Sequence, residues 1–260
     1  VDTPKFVSAD NLSVSLAPSS LGIFLSYKNE QRFYPFPMLE TRELVNDIVA
    51  GDPLLISYCP LCGTGIVFSR DVAGTVLEFG VSGMLWNSNL LMYDRASELV
   101  NRNLWSQVLG EAVVGNRAGA ALTIIPSDIM TFAQFQAVAP QGLVLDTGST
   151  ADPYQGQYFA VAAQFAPNFD VATSPVAPDT YVYGVLVDGA PLAISANVLA
   201  DREAEVFFNN QYVTITQSVD GEVTVLVAGA AVPDREGFWF SFKAAYPAAQ
   251  LWDDATISTL

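Results

Sequence analysis

Both cysteines of the chain fall in one stretch, Pro53-Leu-Leu-Ile-Ser-Tyr-Cys59-Pro-Leu-Cys62-Gly-Thr-Gly-Ile-Val-Phe-Ser-Arg70. An apolar run from Leu54 to Tyr58 enters the Cys-Pro-Leu-Cys turn, Gly63 and Gly65 follow it, and Ile66-Val67-Phe68 leads out. That pattern is strand, tight turn, strand. Two thiols three residues apart on such a turn can make a disulfide, a redox couple or half of a metal site.

The rest of the composition narrows these choices. The chain has no histidine, which removes the usual general base, the usual triad partner and the commonest zinc or copper ligand together. Its 27 acidic against 11 basic residues give a net charge of -16, a sign that repels nucleic acid and anionic membrane surfaces. Only 15% of residues are charged, so much of the surface is uncharged and compatible with subunit contacts. No apolar run approaches the roughly 18 residues of a membrane helix; the longest are Ala118 to Ile125 and Val223 to Val232. The first residue is Val, and the expectation is a trimmed, exported chain.

Along the chain, residues 1 to 36 read as short strands, with Leu12 to Leu16 and Gly22 to Tyr27 alternating. Asn11-Leu12-Ser13 is a glycosylation sequon. Met38, Leu39, Leu44, Val45 and Ile48 recur at helical spacing before Gly51-Asp52-Pro53, which predicts a helix over 38–49 with Arg42, Glu43, Asn46 and Asp47 on or beside its polar side. Thr75 to Val81 and Leu90 to Tyr93 read as strands about Asn87-Ser-Asn89. Asp94 to Gln107 reads as a turn leading into another strand, and Val113-Val114 and Leu122 to Ile125 continue the sheet. Pro126-Ser127-Asp128 with Ile129, Met130, Phe132 and Phe135 predicts a capped amphipathic helix, closed by Pro140 and Gly142. Asp188-Gly189 and Asp220-Gly221 are hairpin turns between apolar runs, and Phe238 to Phe242 reads as an aromatic strand. The stretch from Asp146 to Pro178, rich in Pro, Gly and Asp, is the one seam between lobes.

Several motifs recur as a set: Tyr34-Pro35, Arg42-Glu43 to Asn46-Asp47, Tyr58 to Gly65, Phe79-Gly-Val-Ser-Gly83, Met92-Tyr-Asp-Arg95, and Leu104-Trp-Ser-Gln107 with Gly110-Glu111. Together with Asp152-Pro-Tyr154 and Phe238-Trp-Phe240 the set closely resembles the domain-of-unknown-function family 3179, over most of the chain. The resemblance implies no settled biochemical role, although many members look exported. The family pattern places one histidine before the glutamate of Glu-x-x-Asn-Asp and another before the last proline of the aromatic segment. Here Arg42 and Tyr246 hold those places, so a metal site built there in relatives would be half missing.

A thioredoxin-like dithiol needs a helix after its first cysteine, and Gly63 to Phe68 does not read as one. Closed zinc would need carboxylates or a second chain to complete its ligands. Copper(I) tolerates two thiolates and a thioether, so Cys59, Cys62 and Met92 (or Met38 or Met84) could hold it. Export favours a disulfide. Leu143-Val-Leu-Asp146-Thr-Gly-Ser imitates an aspartic-protease turn, but no second such turn exists in the chain. Gly80-Val-Ser82-Gly83 misses the nucleophile elbow by one position. Arg70, Asp94, Arg95, Gln107 and Glu111 stand amid apolar strands, and an ion-pair network would account for them.

The expected fold is mainly β (α+β), a large antiparallel sandwich or barrel-like domain with at least two helices. Residues 1–145 form an N-terminal β-rich core carrying the Cys turn and 146–260 a β-rich C-terminal lobe, separate or part of the same domain. The expected function is an exported, non-catalytic structural or self-assembling surface protein, such as a filament or layer subunit, forming homo-oligomers without nucleic acid or a membrane span. The alternative is a copper-type metal-handling or thiol-redox protein on Cys59 and Cys62, with Glu43, Asp47 and Arg70 shaping its pocket.

Overall fold

Strand Asp52–Cys59 alternates between two apolar environments, and that alternation places it at the centre of the molecule. Leu54, Ile56 and Tyr58 pack into one buried cluster with Ile23, Leu25 and Tyr34, while Leu55 and Cys59 pack into another with Phe79, Met92 and Trp105. A strand covered on both faces reads as an unbroken apolar run, as this one does. It pairs antiparallel with Thr64–Ser69, with Cys59 opposite Thr64. The computed structural model describes residues 1–96, 98–153, 169–253 and 256–258.

The hairpin belongs to a nine-stranded sheet. Its order runs Thr256–Ser258, Gln250–Asp253, Ala190–Ser195, Tyr181–Val187, Arg235–Phe238, Thr64–Ser69, Asp52–Cys59 and Leu44–Val49, with Ile124–Ile125 paired beside Thr64–Ser69. Over the Cys-side face lies a four-stranded sheet of Phe79–Trp86, Asn89–Asp94, Leu104–Ser106 and Glu111–Val114. Over the opposite face lies a five-stranded sheet of Phe6–Ser8, Leu143–Leu145, Glu30–Pro35, Leu21–Tyr27 and Asp128–Thr131. A third sheet, Glu203–Phe208, Gln211–Gln217, Val223–Val227 and Ala230–Val232, covers Tyr183, Val185 and Val187. Helix Trp239–Ala245 packs on the other side of that strand, through Trp239 and Phe242 against Val182. Gly184 admits it: a Cβ there would sit 2.1 Å from the Phe242 ring. The protein is therefore mainly β, built of antiparallel sheets, none closed into a barrel among the described residues.

The two Asp-Gly hairpins form as expected, Tyr181–Val187 with Ala190–Ser195 and Gln211–Gln217 with Val223–Val227. Four expectations change, the first being that Leu12 to Leu16 forms no strand. The helix over 38–49 is instead a short helix Phe36–Leu39 followed by strand Leu44–Val49. Leu44 faces one cluster and Val45 and Val49 the other, so burial on both faces produced spacings that imitate a helix. The helix begun by Asp128 is strand Asp128–Thr131 and then helix Phe132–Val138; its capping box is Thr131 with Gln134, not Asp128. The aromatic strand Phe238 to Phe242 is the end of Arg235–Phe238 and the start of helix Trp239–Ala245. Aromatic content marked the core there without fixing the element. Tyr154 and the middle of the expected seam, 154–168, lie outside the described residues.

Candidate functional site

The turn Pro60–Cys62 is one 3-10 turn ending at Gly63, whose φ of 59° is left-handed. A Cβ at Gly63 would also meet the Phe238 ring at 2.9 Å, so the position demands glycine twice over. Cys59 and Cys62 are joined as a disulfide with their Cα atoms 5.3 Å apart, inside the usual range for such a bridge. Both sulfurs are buried, and Sγ of Cys62 lies 3.1 Å from the Ser88 carbonyl oxygen. Met92 is fully buried in the same apolar cluster, while Met84 is exposed and Met38 lies outside that cluster. The bridge leaves the sulfurs without thiolate character. Among the described residues no group of three or more carboxylate, cysteine or histidine side chains is arranged to hold a metal ion.

The polar motif residues brace strands. Asn46 donates from Nδ2 to the Phe79 carbonyl (2.9 Å) and accepts from the Phe79 N–H (2.8 Å), stitching strand Leu44–Val49 to Phe79–Trp86. Asp47 accepts from Arg32 and from the Tyr34 hydroxyl, both at 2.7 Å. Arg70 donates to the carbonyls of Leu54, Leu77 and Asp47, and burial pulls its pKa below the ordinary arginine value. Gln107 donates to Ser57 Oγ and to the Thr64 carbonyl, locking Leu104–Ser106 against the Cys hairpin. Arg95 pairs with Asp2 at 2.6 Å and holds that carboxyl below the usual range. Arg42 reaches the Met38 carbonyl and Ser149 Oγ. Glu43 has a φ of 58° and is pushed up to about 7 by burial. Glu111 is exposed, as is Asn11, whose side chain donates to Ser8 Oγ. Asp146 of the protease-like turn is capped by the N–H and hydroxyl of Ser13 and by the Gly148 N–H.

Two of the motif residues also line an open cleft of about 480 Å³. Asp94 forms its floor, accepting from the Asn103 N–H, Asn103 Nδ2 and Trp105 Nε1. Arg95, Asn101 and Arg117 stand around it, with Val76 and Leu77 as an apolar wall and Glu78 among the lining residues.

The family model described as "Protein of unknown function (DUF3179)" matches residues 1–228. The chain belongs to the DUF3179 family. No curated protein and no solved structure matches it.

Within this DUF3179 chain most of the residues picked from sequence fall in three places, and Asn11, Arg42, Glu43 and Glu111 stand apart from them. Cys59, Cys62 and Met92 share an apolar cluster. Asn46, Asp47, Arg70 and Gln107 are brackets, and Asp94 and Arg95 border the cleft. Arg42 and Tyr246 make separate contacts, Tyr246 packing at a tilt against Phe242 and facing Arg235.

Sequence reasoning missed a carboxyl junction where three sheets meet. Glu236 accepts from the Ile129 N–H (3.0 Å) and the Tyr181 hydroxyl (2.9 Å), and Asp128 accepts from the Val223 N–H (2.9 Å). Asp128 and Asp234 line a second cleft of about 210 Å³ beside Val223–Val227. Burial pushes Asp128 up to about 6, and burial with the Asp128 charge pushes Asp234 up to about 7. Glu236 is raised well above the ordinary range by burial and by both aspartates. The only signal in the chain was the clustering Asp234-Arg235-Glu236; Asp128 is more than a hundred residues away.

Proposed function

We propose that this chain is an exported, non-catalytic structural subunit that assembles with copies of itself by strand pairing. The observation carrying this reading is that the strands nearest the two ends of the chain are both sheet-edge strands. Among the described residues Phe6–Ser8 pairs only with Leu143–Leu145, and Thr256–Ser258 only with Gln250–Asp253. A one-sided strand presents free backbone donors and acceptors, a template for another chain unless charge or proline guards it. Neither Phe-Val-Ser nor Thr-Ile-Ser carries such a guard, whereas the edge strand Glu203–Phe208 has Glu203 and Glu205. Different edges on one chain suit a head-to-tail contact, which propagates into filaments or layers if it does not close. The outer face of the C-terminal sheet adds Phe207 and Tyr212, 57% and 59% exposed and in edge-to-face contact.

Sedimentation velocity over a concentration series tests this on the full chain. Concentration-dependent assembly is expected, weakened about tenfold or more by Ser8→Lys with Ser258→Lys, which places charge on both edges. A strictly monomeric chain up to about 1 mM would overturn the reading.

A further inference from the structure

The chain contains eight arginines, and seven of their guanidinium groups are engaged by a hydrogen bond, an ion pair or an aromatic ring. The guanidinium of Arg117 has no such partner among the described residues, and it lines the 480 Å³ cleft. Its loop is nonetheless anchored. The Arg117 N–H donates to Asn103 Oδ1 at 2.8 Å, and Gly115, with a φ of 107°, lies so close to Asn103 that a Cβ would fall 2.4 Å from the same oxygen. Asn103 is in turn gripped by Asp94 through two hydrogen bonds, and both side chains are 3% exposed. The buried aspartate of the Met92-Tyr-Asp-Arg95 motif thus fixes, through Asn103, the loop that presents an unengaged arginine.

The surroundings reinforce the choice of ligand. Arg95 lines the same cleft with its guanidinium held by Asp2, and Arg102 stacks over Tyr93 while donating to the carbonyl of Ala96, another lining residue. Three of the eight arginines gather here and balance the carboxylates of Asp94, Glu78 and Asp2, and the Asp94 carboxylate is already taken up by Asn103 and Trp105 and that of Asp2 by Arg95. The volume suits a small molecule. A fork of parallel N–H donors recognises a planar or tetrahedral oxyanion through paired hydrogen bonds. Glu78 and Asp94 in the lining, with Asp2 beside Arg95, limit how much negative charge can enter, and Glu78 and Asn101 offer acceptors for ligand hydroxyls.

We propose that this cleft binds a hydroxylated small molecule bearing one oxyanion, a carboxylate or a phosphate ester, with Arg117 as its principal contact. The proposal is independent of strand-paired assembly. Isothermal titration of the full chain with gluconate and with glycerol 3-phosphate separates the two oxyanion types. At least one is expected to bind with a Kd below about 1 mM. Arg117→Gln should weaken that binding about tenfold or more without changing Tm, Arg117→Lys should fall between, and Arg202→Gln, which alters an arginine far from the cleft in sequence and bonded to the Ser218 carbonyl, should bind as the parent does. Absence of binding by both probes at about 10 mM, or an Arg117→Gln variant that binds as tightly as the parent, overturns the proposal.

Discussion

Raising the pH from 4 to 7 should loosen this protein, and Asp234→Asn should remove much of that sensitivity. Asp128 and Glu236 come from two different sheets and Asp234 from the link before Arg235–Phe238, and the three face one another together with Tyr181 and Tyr183, whose hydroxyls burial keeps neutral. Glu222 adds a further negative charge beside Asp128. Arg235 is the one cation that lowers Asp234, and its own Nε donates to the Val108 carbonyl. The sign follows from proton linkage. A carboxyl raised from 3.8 to about 7 keeps its proton in the folded chain while the unfolded chain loses it near pH 4. The stability it contributes is complete below about pH 4 and is lost as pH climbs to about 7.

At 1.36 kcal/mol per decade of pH, some three decades amount to about 4 kcal/mol. Asp234 is only half-buried and shares its interactions with its neighbours, so solvent screening brings the net to about 2 kcal/mol. In a domain of this size that is a Tm difference of about 4–8 °C. Calorimetry at pH 4.5 and 7.5 on the parent and on Asp234→Asn measures it. Glu43, also raised by burial, contributes equally to both proteins and cancels in the comparison. Parallel pH slopes in the two proteins would refute the reasoning.

Two further outcomes follow from the motif geometry. Asn46→Ala leaves the N–H and carbonyl of Phe79 without their side-chain partner in a buried setting and should cost about 2–4 kcal/mol, read from urea unfolding; a loss under about 0.5 kcal/mol would mean that water or a neighbour replaces the amide. Replacing both Cys59 and Cys62 by Ala should cost about 2 kcal/mol, because a disulfide closing so short a loop removes little unfolded-state entropy. A chain that no longer folds at all would show that the bridge does more than brace the turn.

Legibility in the sequence varied by element for identifiable reasons. The Cys hairpin and both Asp-Gly hairpins were readable because turn chemistry acts over a few residues, as Gly63 and Gly189 show with their left-handed φ values. Leu44–Val49 was misread because two-sided burial erases the alternation that distinguishes a strand. Trp239–Ala245 was misread because its helical state depends on Phe242 fitting over Gly184, a contact made across more than fifty residues. Of the polar residues, Asp94 and Arg95 were visible through their motif, but Arg117 was not, since what distinguishes it is the lack of a partner and a loop pinned to Asn103.

By itself the sequence determined a mainly β chain of strongly acidic character, free of histidine chemistry, with one cysteine turn at its centre and membership of a family defined by a recurring motif set. Those properties are sums or short-range patterns, which composition and local turn preferences express directly. Only the tertiary structure decided that the cysteines are a buried brace, that most polar motif residues stitch strands together, and that Asp128 and Glu236 share a junction while Arg117 stands unengaged at a cleft. Each of these depends on which distant strands become neighbours, and burial, pairing and charge coupling exist only once that packing is complete.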